Sequence, residues 1–139
     1  MKVQSYLFFN GHCDEAIAFY RQAAGATDVN VMRYRDSPEP PSPGHQLPPG
    51  WESKVMHASF KVGDTEVMAS DGDSAKPTSF SGFALVLNVK DDAEAKRRFD
   101  ALAEAGKVRQ PLIKTFFTSS FGMLTDRYGL DWMVMVPQG

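Results

Sequence analysis

The chain carries one pattern of elements twice, and this repetition constrains its fold more than any single motif. Each half opens with an apolar stretch, Val3 to Phe9 and Phe83 to Val89. A turn and an amphipathic segment follow, about Asp14–Ala24 and about Asp92–Ala105, and short strands close each half. In the first helix Ala16, Ile17, Tyr20 and Ala24 recur at helical spacing, with Gly25 as the stop. In the second, Asp91 caps the start with Glu94 three residues on, Phe99 and Leu102 face inward, and Gly106 ends it.

Further strands are expected at Val29–Arg35, Val55–Val62 and Thr65–Ser70, the last two joined through Gly63-Asp64. In the second half they fall at Val108–Ile113, Ser120–Thr125 and Leu130–Val136, with Arg127-Tyr128-Gly129 as the final turn. The order β-α-β-β-β, repeated, reads as an α+β fold of two βαβββ modules with curved, antiparallel-rich sheets. Helices occupy one face of each sheet, so alternate strand residues point the other way, into a concavity. Two cupped sheets facing each other would enclose a cavity for a small molecule. The expected division is one domain over 1–139, with modules at 1–72 and 82–139 and a polar linker at 73–81.

Composition excludes several classes of function. The 139 residues suffice for one core, and a net charge of −2 without a basic stripe offers nothing to nucleic acid or an anionic membrane. No apolar run approaches the roughly 20 residues of a membrane span, and the start does not read as a signal peptide. The expected location is cytoplasmic. Cys13 is the only cysteine, which rules out an internal disulfide and a thiolate metal cluster. Between Asp36 and Gly50 lie six prolines, which remove backbone donors and mark a surface loop. A loop this long is either disordered or functional, as a lid or a dimer arm.

The opening Leu-Phe-Phe-Asn-Gly, the Ala-Ile-Ala-Phe-Tyr helix and the closing Phe-Gly-Met-Leu-Thr-Asp-Arg-Tyr-Gly-Leu-Asp-Trp-Met resemble the vicinal oxygen chelate superfamily. Glyoxalase I, extradiol dioxygenases and bleomycin-resistance proteins belong to it. The chain is most similar to its PhnB-like branch, often labelled 3-demethylubiquinone-9 3-methyltransferase-like. The resemblance covers nearly the whole chain and implies a homodimer of paired βαβββ modules. The methyltransferase label does not carry over, because a nucleotide-like methyl donor needs a Gly-rich strand-to-helix turn and Asn10-Gly11-His12-Cys13 has a single glycine.

Metal-dependent members of the superfamily hold a divalent ion with His and Glu from the first and last strand of each module. By this resemblance the four positions fall on Ser5, near Met68, near Ala84 and near Met133. Such an ion wants imidazole nitrogen and carboxylate oxygen, which these residues do not supply. The expectation is therefore no metal and no cofactor.

Other residues carry open alternatives. His57 and Glu66 lie on neighbouring strands of one hairpin. They read either as a half-buried His with a structural partner, as a general acid/base pair, or as a weak metal pair. His57 is expected on one face with Val55 and Ser59, and Met56, Phe60 and Val62 on the helix-packed face. Met68, Met123, Met133 and Met135 fill the core, or Met68, Met133 and Met135 line a deformable apolar pocket. Phe116, Phe117 and Phe121 around Thr118-Ser119-Ser120 suit either a planar ligand or a dimer contact. Asp126 is expected to bond backbone groups in its turn. Cys13 near a helix N-terminus, where the dipole lowers a thiol pKa, is a candidate nucleophile; His12 and His45 read as solvated.

The leading functional expectation is metal-free binding of a small apolar or aromatic molecule by Ser5, His57, Met68, Phe117, Phe121 and Met133. The alternatives are a lyase or isomerase using His57 and Glu66, a metal-dependent glyoxalase-like enzyme, and a structural dimer with a filled interior.

Overall fold

The computed structural model describes residues 1–38 and 47–138. The centre of the Pro-rich 36–50 loop, His45 included, lies outside the described residues. The chain divides into two compact units, Met1–Thr78 and Ser79–Gly139.

The first unit comprises β1 (Tyr6–Phe8), α1 (Cys13–Ala23), β2 (Thr27–Arg33), β3 (Val55–Val62) and β4 (Thr65–Ser70). The second comprises β5 (Leu85–Asn88), α2 (Asp92–Ala103), β6 (Lys107–Ile113), β7 (Phe121–Thr125) and β8 (Asp131–Met135). The sheet orders are β1-β4-β3-β2 and β5-β8-β7-β6. In each sheet the first strand runs parallel to the fourth and the other pairs are antiparallel. The α+β fold of two βαβββ units expected from the sequence is the fold observed.

The duplication extends to single hydrogen bonds. Phe9 N–H donates to Ser70 O at 2.8 Å, and Val89 N–H donates to Met135 O at 2.9 Å. Counting back from these bonds makes Tyr6 equivalent to Val86 and Met68 equivalent to Met133, and both pairs are register partners.

Alternation decides which side chains are buried. On sheet one Leu7, Ala58, Phe60, Val67 and Ala69 point to the α1 side and are buried. There the Tyr20 ring stacks on Phe60 at 6.2 Å. On sheet two Leu124, Trp132 and Val134 are buried with Phe99 and Leu102 of α2. Gly122 lies under α2, and a Cβ built there would come 2.6 Å from the Phe99 ring.

One expected face assignment fails. Met32 pairs with His57 but Arg33 pairs with Val55, so β3 carries an extra residue at Met56. Such a bulge reverses the facing of the residues beyond it. Val55 is accordingly fully buried, whereas His57 is exposed.

The outer strands β2 and β6 are irregular. Asp28 adopts a φ of +51° where the β2 register slips, and Pro111 falls within the second of two slips in β6, between Gln110 and Ile113. The β3–β4 turn has its positive φ at Gly63 (+58°), closing the Val62–Thr65 pair.

The helix ends divide the work differently from the sequence expectation. Gly25 takes a left-handed φ of +71° after α1. After α2 the left-handed residue is Ala105 (+60°). Gly106 is there for space, since a Cβ would come 2.3 Å from Thr125 O. At the start of α2, Glu94 N–H donates to Asp91 Oδ1 at 2.8 Å, the cap expected, while the Glu94 carboxylate reaches past the cap residue and accepts Lys90 N–H at 3.2 Å.

The first residue of α2 ties the helix to the loop before β7. The Ser119 and Ser120 hydroxyls donate to Asp92 Oδ1 at 2.6 and 2.7 Å. These bonds hold the Asp92 carboxyl below its ordinary value of 3.8. A folded-state value below the unfolded one contributes stability above the unfolded value, and that contribution disappears as pH falls through the folded one. Urea unfolding of Asp92→Ala is therefore expected to show its largest deficit against the parent near neutral pH. The deficit should shrink once pH drops below about 4; one constant from pH 7 to pH 3 would contradict the linkage.

Candidate functional site

The hub of the first unit is Asp71, the residue after β4. Its carboxylate is fully buried. Oδ1 accepts the Gly11 and Cys13 N–H groups, each at 2.8 Å, and Oδ2 accepts Val55 N–H at 2.8 Å. Asp71 N–H in turn donates to Val55 O at 2.9 Å. The β1–α1 turn, the bulged start of β3 and the end of β4 are thereby fixed to one group. Trp51 closes over this turn, its ring 3.2 Å from where a Gly11 Cβ would sit. The Trp51 indole and the Tyr34 hydroxyl both donate to Gly72 O, at 2.9 and 2.6 Å.

This arrangement argues against Cys13 as a nucleophile. The Cys13 N–H at the start of α1 is taken by the Asp71 carboxylate, which sets a negative charge beside the thiol. Burial, followed by the Asp71 and Asp14 charges, pushes the Cys13 thiol far up from its ordinary value. Cys13 is a fully buried, protonated core residue.

On the side of sheet one away from α1, the registers define rows of neighbouring side chains. Phe8, Ser70, His57 and Met32 form one row, and Tyr6, Met68, Ser59 and Asn30 form the next. Glu66 faces Lys61 in the row beyond. Tyr6 is 36% and Phe8 53% exposed, so this face presents aromatic rings to its surroundings. The Tyr6 and Phe8 centroids are 5.0 Å apart, and those of Tyr6 and His57 5.6 Å apart. The Tyr6 hydroxyl lies 3.2 Å from His57 Nδ1.

His57 and Met68 are thus brought together around Tyr6. Ser5 precedes β1 and contributes its backbone carbonyl to the Met68 N–H; Tyr6 is the register partner of Met68. Glu66 shares the face with His57 but not its row. Four residues along β4 separate it from Ser70, opposite His57, or about 13 Å at strand rise. Glu66 Oε1 accepts the Gln4 amide at 2.8 Å.

Phe117, Phe121 and Met133 belong to the second unit. The Phe117 and Phe121 rings meet edge-on at 5.6 Å. Phe121 pairs with Met135, and Met133 sits one row over, between Val86 and Met123. This helix-free side is apolar, with Val86, Ile113, Phe116 and Phe117 all exposed. Asp126 bonds backbone groups as expected, accepting Tyr128 and Leu130 N–H, and it also accepts the Trp132 indole at 2.9 Å.

Tyr6, Phe8, Asp71 and Trp51 were not picked out from the sequence. Period-two aromatic residues in Tyr6-Leu7-Phe8 signal a ring-bearing strand face. Asp71-Gly72 resembles an ordinary turn, and nothing in the one-dimensional pattern marks its carboxylate as buried.

Two units of this topology define the class, a glyoxalase/bleomycin-resistance-like α+β fold. The fosfomycin resistance protein FosX from Mesorhizobium loti shares the fold at 12% identity and a TM-score of 0.61, over 99% of this chain and 92% of that one. The chain belongs to the family described as 3-demethylubiquinone-9 3-methyltransferase, which matches residues 1–135. It is 34% identical to protein YjdN of Escherichia coli K12 over 143 residues, covering 98% of this chain and 95% of YjdN. The crystal structure of protein PA1353 from Pseudomonas aeruginosa is 43% identical, with a TM-score of 0.82 and coverage of 100% and 99%. A putative 3-demethylubiquinone-9 3-methyltransferase, PhnB protein, from Bacillus cereus is 28% identical, with a TM-score of 0.78 and coverage of 98% and 99%.

The divalent ion of metal-dependent superfamily members does not fit this chain. The helix-free positions of the paired strands carry Tyr6, Met68, Val86 and Met133. A phenol, two thioethers and an isopropyl group are poor donors for a borderline-hard ion. Among the described residues no three His, Cys, Asp or Glu side chains are grouped to hold a metal.

If Asp71 is the hub, Asp71→Ala strands three buried N–H groups. The expected cost is about 3 kcal/mol or more in urea unfolding, because bonds to a charged acceptor contribute roughly 1.5–3 kcal/mol each. In the folded parent Cys13 should resist a thiol reagent at pH 8 and react in the variant; rapid labelling of the native parent would contradict its burial.

Proposed function

We propose that the protein binds a small apolar or aromatic molecule against the helix-free face of its first unit. The observation carrying this reading is the exposed ring surface of Tyr6 and Phe8, set beside His57 and Met68 on a sheet whose other side is fully packed. Flat rings gain from offset or edge contacts with such a surface, and a methionine side chain adapts to an irregular partner. Hydrogen bonds and stacking are sufficient for capture here, which is consistent with the poor metal-donor chemistry of the paired strands.

Transfer of a methyl group from a nucleotide-like donor is not supported. Strand-to-helix turns that hold such donors present open amides. Here the β1–α1 turn is occupied by the Asp71 carboxylate and the β5–α2 turn by Asp91. Both charges repel a phosphate or carboxylate ligand.

A second reading, a lyase or isomerase, is favoured by the exposed His57 ring and its bond to Tyr6. In that reading His57 exchanges the proton, and Glu66 acts from its own row.

The homodimer that the family resemblance implies and the exposed apolar residues of the second unit support self-association. Sedimentation velocity is expected to show a dimer that Ile113→Lys combined with Phe116→Ser weakens; a monomeric parent would remove this part of the proposal.

A thermal-shift screen of aromatic metabolites and antibiotics tests binding, because a ligand of the folded state raises the melting temperature. Compounds found this way should bind Phe8→Ala and Met68→Lys about tenfold more weakly, a loss of roughly 1.4 kcal/mol. Equal binding by parent and variants would place the ligand elsewhere.

A further inference from the structure

We infer that the Tyr6–His57 pair makes this face selective for planar molecules bearing a hydrogen-bond acceptor, a ketone or carboxylate oxygen, which His57 Nε2 engages. The inference rests on the binding reading above and names its ligand class.

The argument starts from the two ring nitrogens of His57. Nδ1 lies 3.2 Å from the Tyr6 hydroxyl, and among the described residues Nε2 has no partner. A neutral imidazole carries one N–H, and the bond made by one nitrogen sets the role of the other. A phenol donating to Nδ1 places the ring proton on Nε2. If the ring becomes cationic, Nδ1–H turns round and donates to the phenol oxygen, and Nε2 still carries a proton. With the phenol as the donor in the neutral pair, Nε2 is a donor in both protonation states, so the pair offers the same polar preference throughout.

The surroundings restrict the remainder of the ligand. Phe8 and Tyr6 supply ring faces, with Met32 and Met68 beside them. Glu66, on the same face, lies two rows away and is engaged by Gln4. A ligand lying on the rings with an acceptor oxygen at its edge satisfies Nε2; one with only a donor there leaves two protons opposed. Tyr6 is a positioning residue for His57 as well as a ring contact.

A matched pair of probes tests this: 2-acetylnaphthalene, and 2-ethylnaphthalene, which keeps the shape without the oxygen. Nitrogen-15 spectra of the His57 ring are recorded above its own measured titration midpoint. The expected spectrum shows a bare Nδ1 and a protonated Nε2, with the ketone preferred about fivefold over the hydrocarbon, as one hydrogen bond of about 1 kcal/mol gives. His57→Phe should bind both probes equally. Tyr6→Phe should reduce the preference and bring Nδ1–H tautomer into the spectrum. The preference is a ratio within each protein, so it is insensitive to the folded fraction.

A proton resident on Nδ1 in the parent, or a preference that survives His57→Phe, overturns the inference. If the parent binds both probes equally and Phe8→Ala weakens both, the acceptor selectivity fails while the binding reading stands. If neither probe binds, both fall together.

Discussion

Three backbone N–H groups converge on the Asp71 carboxylate, and the placement of the candidate residues in the first unit follows from that convergence. The group sits at the end of β4, holds the start of α1 and anchors the first residue of β3. Bonds from N–H to a buried carboxylate are strong only when the donors are already in place, so the turn, bulge and strand end are mutually dependent. The bulge at Met56 lies immediately beyond the anchored Val55. It turns Val55 into the core while His57 faces outward beside Tyr6.

The two units have the same backbone plan but different helix-free faces. At equivalent positions the first presents Tyr6 where the second presents Val86, while Met68 and Met133 correspond. The first face thus combines rings with a polar pair, and the second is dominated by thioether and hydrocarbon groups. A divalent ion needs hard or borderline donors at these positions in both units. The substitutions leave a surface suited to stacking and hydrogen bonding in one unit and to apolar contact in the other.

Much of the architecture was legible in the sequence because period-two and period-3.6 patterns respond directly to burial. The β3–β4 hairpin was read to the residue from Gly63-Asp64, and the α2 cap from the Asp91/Glu94 spacing. The opening strands were read from Val3 and Phe83, whereas the paired registers begin at Tyr6 and Leu85. The facing of Val55 was misread because a bulge leaves no periodic mark. The candidate site was legible in part: His57 and Met68 share a neighbourhood, but Tyr6 was passed over for Ser5, one residue away and off the Met68 register. Asp71 escaped notice because a buried turn carboxylate and a solvated one look alike in one dimension.

Each sheet ends at one side in a strand ill-suited to recruiting another. Pro111 carries no backbone N–H for a ladder, and β2 is distorted where Asp28 takes a left-handed conformation. Lateral growth of either sheet through these borders is therefore disfavoured, which also blunts a route to fibrous aggregation. Self-assembly of this protein has to proceed through side-chain surfaces or the opposite borders, not by adding backbone ladders to β2 or β6.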